Sequence, residues 1–303
     1  MTYKLTATIL AFAILPFATG CGEGAAETPK VTLKPSTSDG GADAANGAAN
    51  GGTKTGGETV AASGFGTFKG RVLLTGSASP LPPLVEQGAN IKDGEVCAAQ
   101  PVPNEKLVVG PGNGVANVFI YMVRAPRGGK DQAAHEPTDT PVFDQKGCVF
   151  IPHALVVRAG KPITVTSNDS VPHNVHTFPK KNNTFNDIVA QGAQKQFTYN
   201  SAELEPVEVK CDFHTWMRAY QLPLDHPYGA LTGEDGSFEI ADLPVGEHEF
   251  RIWHEGKLLD RGYKVTVSQD GEVVEKDIQF PAAQLQARRE GPPNKVVMLS
   301  SLR

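Results

Sequence analysis

From Phe65 onward, apolar and polar residues alternate in short runs that are separated by glycine, proline and Asp-Gly pairs. A period of two is typical of strands, in which successive side chains point to opposite faces of a sheet. No long stretch has the apolar spacing of an amphipathic helix. The pattern therefore predicts an all-β chain of the sandwich class.

Short strands are predicted throughout residues 65–225. They are Phe68–Leu74, Ala116–Val123, Ala154–Arg158, Pro162–Ser167, Gln196–Tyr199, Val207–Cys211 and Ala219–Leu224. Two intervening segments, 76–113 and 125–140, are rich in proline, glycine and charged residues, so they are predicted to be long loops.

A second series of alternating runs occupies residues 226–281. Its Asp235-Gly236 pair is typical of a hairpin turn. The stretch 232–250 resembles the carboxypeptidase regulatory-like, prealbumin-type β module, which implies a smaller, structural β-sandwich. Residues 68–76 and 115–121 also resemble the opening strands of that module. Two alternatives stay open: the first unit is inserted within the module, or the two units share a sheet.

The first 64 residues and the last 22 differ in composition from the rest. Residues 1–20 have one cation and an apolar stretch too short to cross a bilayer, as in a signal peptide. Small residues followed by Cys21 resemble the lipobox of bacterial lipoproteins, which implies acylation of Cys21. Residues 21–64 lack aromatic side chains and predict a flexible tether, and 282–303 form a polar tail. These features predict a lipid-anchored protein of the cell envelope, on the periplasmic or extracytoplasmic side.

The other three cysteines are Cys97, Cys148 and Cys211. An exported chain favours disulfides. If Cys97 pairs with Cys148, Cys211 is the odd thiol, and coordination by a metal would protect it in an oxidising compartment. Pairing of Cys97 with Cys211 is the alternative, and it would remove that argument.

The segment Cys211-Asp-Phe-His214-Thr-Trp-Met217 places a thiolate, an imidazole and a thioether close together in the chain. Two His, one Cys and a weakly bound Met form the ligand set of a mononuclear electron-transfer copper site. The second imidazole would come from His173, in the loop after the strand at 162–167. Cys211 ends a strand whose alternating valines face the core, so its sulfur is expected to point into the end of the sandwich.

Residues 150–165 and the following 168–176 resemble part of a plastocyanin-type cupredoxin. Pro172-His-Asn-Val-His176 with Cys211-x-x-His214-x-x-Met217 is similar to the amicyanins in particular. The resemblance covers about 148–225. It implies a cupredoxin-like β-sandwich that binds one copper ion. The implied ligands are His173, Cys211, His214 and Met217.

The same resemblance implies that Asn174 ties the two ligand loops together by hydrogen bonds. Phe213 and Thr215 stand where amicyanins have prolines beside the loop histidine, so this loop is expected to be less rigid. Asp212 places a carboxylate beside the thiolate. Trp216 is expected to pack, and to contribute to an apolar patch through which electrons leave.

Two further histidines are expected to play other parts. His176 lies an odd number of residues from His173, so an extended strand would send the two side chains to opposite faces. His176 is therefore expected at the surface or beside a ligand. His153 follows a proline at a strand entrance and is expected to be structural.

The leading interpretation is an envelope copper protein, not an enzyme, that carries single electrons to and from a redox protein partner. A copper oxidoreductase would need a second copper, with His153, His176 and His226 as its only plausible further ligands. A structural or binding lipoprotein without metal is the third alternative. The net charge of −5 and the absence of a basic, aromatic-rich run give no support for nucleic-acid binding.

Overall fold

The computed structural model of the protein describes residues 63–129 and 139–286. The predicted signal peptide, the acylated Cys21, nearly all of the tether and most of the tail lie outside the described residues. The described chain is nearly all β, as the alternating pattern predicts. It contains no helix of the length and apolar character that a membrane span requires.

Seventeen strands and three short helical turns make up the described chain. The strands are β1 (Phe65–Thr75), β2 (Phe119–Tyr121), β3 (Val142–Gln145), β4 (Phe150–Ile151), β5 (Ala154–Arg158), β6 (Pro162–Thr166), β7 (His173–Phe178), β8 (Asn186–Val189), β9 (Gln194–Thr198), β10 (Val207–Lys210), β11 (Arg218–Leu224), β12 (Gly229–Leu231), β13 (Ser237–Pro244), β14 (Gly246–His254), β15 (Lys257–Val267), β16 (Val273–Glu275) and β17 (Ile278–Pro281). The turns are α1 (Gly94–Cys97), a 3₁₀ turn (Pro111–Asn113) and α2 (Ala282–Leu285).

The first sandwich has sheets of strand order β5-β11-β10-β7-β8 and β4-β3-β6-β9. Its core is built from the inward side chains of both sheets, with Phe143 and Phe150 stacked on one side and Val207 and Val209 on the other. Val207 and Val209 are fully buried, as their alternation predicts. Cys211 follows β10 directly and belongs to the same core.

The second sandwich pairs a sheet of order β13-β1-β16, to which β17 is added along β1, with a sheet of order β12-β2-β14-β15. Phe68 of β1 lies at its centre and contacts Phe238 and Phe250 at ring distances of 4.9 and 5.3 Å. The alternating runs of 226–281 therefore supply most, but not all, of this core.

Strand pairing divides the chain differently from the predicted boundary at residue 225. β1 pairs with β13, β16 and β17, and β2 pairs with β12 and β14, so both strands lie in the second sandwich. The pattern of alternation identifies a strand but not the distant strand with which it pairs. The sequence therefore could not assign β1 and β2 to the second sandwich. The pairing matches the alternative in which the first unit is inserted within the second.

The Asp235-Gly236 pair forms a turn, but not the predicted hairpin. The strands on its two sides, β12 and β13, pair with β2 and β1 in different sheets. Gly236 has φ +81°, and a Cβ there would lie 2.4 Å from the carbonyl oxygen of Val72. Glycine is required because the turn crosses between the sheets against the backbone of β1.

The two sandwiches pack against each other along β11. Its side chains are buried on both faces: Ala219 lies in the first core, while Tyr220, Leu222 and Leu224 contact aromatic residues of the second sandwich. Tyr220 lies 4.8 Å from the ring of Trp253. All residues of β11 except Arg218 are buried, as expected for a strand that is covered on both sides.

Candidate metal centre

Three of the four predicted ligands meet at one buried point. His173 begins β7 rather than lying in a loop, Cys211 follows β10, and His214 lies in the connection to β11. The Nδ1 atoms of His173 and His214 are 2.9 Å apart, and the Cys211 Sγ atom is 4.0 and 3.8 Å from them. One ion with bonds of about 2.0–2.3 Å to nitrogen and sulfur would hold donors roughly 3–4 Å apart. The donor set fits a single metal ion.

Of the two pairings considered above, the structure contains the one between Cys97 and Cys148. Cys97 and Cys148 form a disulfide with their Cα atoms 5.2 Å apart. Cys211 is a free cysteine and is 2% exposed. Its thiol is therefore available to a metal and shielded from solvent.

Met217 lies on the same loop as the thiol and is 1% exposed. The Met217 N–H donates to the carbonyl oxygen of His214 at 2.9 Å, and the Cys211 N–H donates to the carbonyl oxygen of Met217 at 3.3 Å. These two bonds close the loop into a tight turn. The part of Met217 as a weak fourth ligand stays a prediction.

Each histidine of the cluster has a carboxylate behind it. His173 Nε2 is 2.8 Å from Asp169 Oδ2, and His214 Nε2 is 3.0 Å from Asp93 Oδ2. The Asp169 carboxylate also accepts hydrogen bonds from the N–H groups of Gly147 and Cys148. A ring that donates its Nε2–H to a carboxylate presents Nδ1 in the opposite direction. Both imidazoles are thus oriented with Nδ1 toward the sulfur.

The protonation of the cluster follows from these contacts. Burial by itself lowers the pKa of His173, but its bonds to Asp169 and Cys211 outweigh burial and raise the pKa to about 9. Burial lowers the pKa of His214. Burial raises the pKa of the Cys211 thiol, but the His173 bond and local N–H groups outweigh it, so the pKa is lowered. Without metal, these contacts favour the protonated form of His173 and make the Cys211 thiol easier to deprotonate, and a metal cation would displace the His173 proton on binding.

Asn174 connects the two segments that carry the predicted ligands. Its Oδ1 accepts the Asp212 N–H at 2.7 Å, and its Nδ2 donates to Asp212 Oδ2 at 2.7 Å. His176 lies on the other face of β7 from His173, is partly exposed and has its Nδ1 3.1 Å from both Asp212 carboxylate oxygens. Asn174 thus joins β7 to the segment after β10, and His176 lies beside the same carboxylate at the surface.

The segment 84–103, which we call the cap, covers the ligand loop and was predicted only as part of a long loop. Lys92 places its Nζ 4.4 Å from the Phe213 ring centre, and Val85, Ala98 and Val102 pack against Trp216. Trp216 Nε1–H donates to the carbonyl oxygen of Cys148 at 3.1 Å. The cap therefore holds a loop that lacks the flanking prolines.

Sequence reasoning missed Asp93 and Asp169 as partners of the ligands. Asp169 lies four residues before His173, but a lone carboxylate near a histidine is too common to be a signal. Asp93 lies 121 residues from His214 in the chain. Cys97, close to Asp93, was the only sign that this segment is held near the sandwich.

The remaining histidines considered as ligands lie elsewhere. His153 Nε2 is 2.7 Å from Glu255, and its Nδ1 is 3.7 Å from Glu105. His226 is buried, and its Nδ1 accepts the Tyr228 N–H. Within 63–129 and 139–286, the groups that could hold a metal are His173-Cys211-His214 and Cys148-Asp169-His173. The second shares His173 and includes a disulfide sulfur, so it is not a separate site.

Comparisons with known proteins identify cupredoxins among the structural neighbours. No family model and no curated protein matched the sequence. A purple cupredoxin from Nitrosopumilus maritimus is 19% identical over 28% of this chain and 99% of its own, with a TM-score of 0.24. Amicyanin from Paracoccus versutus is 18% identical over 36% of this chain and 99% of its own, with a TM-score of 0.26.

A copper-containing nitrite reductase from Thermus scotoductus is also similar in part. It is 15% identical over 33% of this chain and 27% of its own length, with a TM-score of 0.27. These low scores carry no functional argument. The functional proposal depends instead on the residues of the metal centre.

Proposed function

We propose that this chain binds one copper ion through His173, Cys211, His214 and Met217 and carries single electrons. The observation that supports the proposal most is the buried cluster of two imidazole nitrogens and one free thiol sulfur. A thiolate with imidazoles suits copper or zinc, and a thioether favours copper. Bound copper would supply a one-electron couple, Cu(II)/Cu(I), in a ligand set that suits both states.

The protein's own residues would keep that ligand set fixed during electron transfer. Asp169 and Asp93 hold the imidazole rings, and Asn174 fixes the backbone next to the thiolate. His173 and His214 are each 0% exposed, so water is kept from the nitrogen donors. Ligands that are already in place need little rearrangement when the charge of the ion changes.

The proposed setting is the cell envelope, with the chain held to a membrane by a lipid on Cys21. The proposed partner is a redox protein. The setting rests on the predicted signal peptide, lipobox and tether, and the partner rests on the proposed electron transfer.

Copper counting and redox cycling test this function. The purified chain is titrated with Cu(II), passed through a desalting column and analysed for copper per chain. We expect one retained ion that a one-electron reductant and oxidant convert reversibly, and loss of that ion in Cys211→Ser. Two retained ions would favour a copper oxidoreductase instead. A folded chain that retains no copper would favour the structural or binding lipoprotein.

A further inference from the structure

We propose that Asp93 is a positioning residue for His214 and that the cap holds Asp93 beside the metal centre. The inference rests on the proposed copper function, because it assigns Asp93 a part in holding one of the proposed ligands. Asp93 Oδ2 is 3.0 Å from His214 Nε2, and the histidine is fully buried. No other hydrogen-bond partner of His214 Nε2 lies within the described part of the chain.

The local structure of Asp93 points to a role outside its own helix. Asp93 is the residue before α1 (Gly94–Cys97), where an aspartate side chain ordinarily caps the free N–H groups of the helix. Here its carboxylate makes no capping bond and reaches the histidine instead. Its backbone has φ 54° and ψ 31°, a left-handed conformation that is uncommon outside glycine. The missing capping bond and the uncommon backbone conformation of Asp93 both cost free energy. Such costs persist where the surrounding structure requires them.

Backbone hydrogen bonds and a disulfide hold Asp93 in place. The Asp93 carbonyl oxygen accepts the N–H groups of Val96 and Cys97 at 3.0 and 2.9 Å. Cys97 is joined by the disulfide to Cys148, and the Cys148 N–H donates to Asp169, the carboxylate behind His173. The disulfide thus links the supports of both histidines.

The consequence concerns which nitrogen of His214 carries its proton. With Nε2–H donated to Asp93, the Nδ1 lone pair faces His173 Nδ1 and Cys211 Sγ. Without this acceptor, the ring could protonate on Nδ1 or rotate, and either change removes a donor from the cluster. Loss of a carboxylate behind a ligand histidine typically lowers metal affinity by about 10- to 100-fold.

The test compares Asp93→Ala with Glu95→Ala, which removes an equal charge from an exposed residue of the same cap. Copper affinity is measured by competition with a chelator, and the His214 tautomer is measured by ¹⁵N NMR of the metal-free protein. We expect Asp93→Ala to lose about 10- to 100-fold in affinity and to lose the Nε2–H form of His214. Glu95→Ala should match the wild type in both, and Asp93→Asn, which keeps an acceptor oxygen, should keep the Nε2–H form.

Two readouts separate failure of this inference from failure of the proposed function. If the wild type binds copper but Asp93→Ala changes neither affinity nor tautomer, Asp93 has no positioning role. If the wild type binds no copper, the proposed function fails, and the tautomer in metal-free Asp93→Ala still decides whether Asp93 sets the His214 ring. Should Asp93→Ala not fold, the metal-free wild type decides the question: a His214 ring that carries its proton on Nδ1 rather than on Nε2 would also overturn the inference.

Discussion

Asn174 shows at the scale of one residue how the metal centre is held together. Its side-chain amide both accepts from and donates to Asp212, so it joins β7 to the segment after β10. Asn174 is 3% exposed, which means that water cannot replace these bonds. We expect Asn174→Ala to lower the free energy of unfolding by about 1–3 kcal/mol, because the Asp212 N–H loses its partner.

Chemical denaturation of the metal-free protein measures this change, with Asn168→Ala as the control. The Asn168 side chain also bonds a carboxylate, Asp144, but at an exposed position. We expect the control to change stability by less than about 0.5 kcal/mol. Equal losses of stability in the two variants would show that the buried Asn174–Asp212 bonds contribute no more than the exposed Asn168–Asp144 bond.

The individual residues of the site were predictable to different degrees. His173, Cys211, His214 and Asn174 could be named because they lie in two short motifs whose spacing reflects local geometry. Asp93 could not be named, because its approach to His214 depends on the path of a segment that has no pattern of its own. The carboxylates that bind ligand histidines can lie anywhere in the chain, so the spacing of the ligand motifs does not predict them.

The cap is the element that covers the candidate metal centre. Without the cap, the centre would be an open loop at the end of the sandwich. The cap has one turn of helix, a small buried cluster of Val85, Ala98 and Val102, and one covalent bond to the sandwich. The two cysteines are 51 residues apart in the chain. A crosslink that closes a loop of that length stabilises a protein by about 4 kcal/mol on the chain-entropy model. We therefore expect the disulfide to contribute much of the stability that keeps the cap closed over His214.

The double variant Cys97→Ser/Cys148→Ser tests that dependence. We expect its free energy of unfolding to fall by about 2–4 kcal/mol. We also expect bound copper to pass to a chelator faster than in the wild type, because the cap no longer stays closed over His214. Glu95→Ala, which leaves the disulfide intact, should release copper at the wild-type rate. Unchanged release from the double variant would mean that the cap does not limit access.

The strands show where alternation is informative and where it fails. β5 has the predicted ends, and β6, β10 and β11 differ from prediction by one residue at one end. β7 was not predicted, because His173, Asn174 and His176 make it look polar although most of its side chains are buried. Its buried residues include Val175, in the core of the first sandwich, and His173, in the candidate metal centre. A strand with so many polar residues has no hydrophobic signature.

At the scale of the whole molecule, the second sandwich covers one face of the first along β11. Sequence alone predicted two β units but left their connection open, because β1 pairs with strands more than 160 residues away. His254, the last residue of β14, is 1% exposed.

The titration of His254 makes stability depend on pH. Burial lowers its pKa to about 4, with Glu255 opposing the shift and His153 and Lys257 reinforcing it. Between pH 6.5 and 4, the unfolded chain therefore binds a proton that the folded chain excludes, and stability falls as pH falls. From pH 7 to pH 5 this group alone would cost about 2 kcal/mol.

Unfolding free energies at pH 7 and pH 5 test this prediction in the wild type and in His254→Leu. The variant replaces the titrating imidazole with a buried apolar side chain, so it should lose less stability than the wild type on acidification. All other titrating groups, including His226, whose pKa is also lowered by burial, are common to both proteins. An equal loss in the two proteins would rule out His254 as a source of the pH dependence.

The visible absorption spectrum of the Cu(II)-loaded chain tests the central claim most directly. A copper ion bound to the Cys211 thiolate and to the two imidazoles should absorb intensely, because charge transfers from sulfur to the metal. We predict a strongly coloured wild type, a colourless Cys211→Ser and a coloured Glu95→Ala. A folded, copper-treated wild type without this absorption would contradict the account.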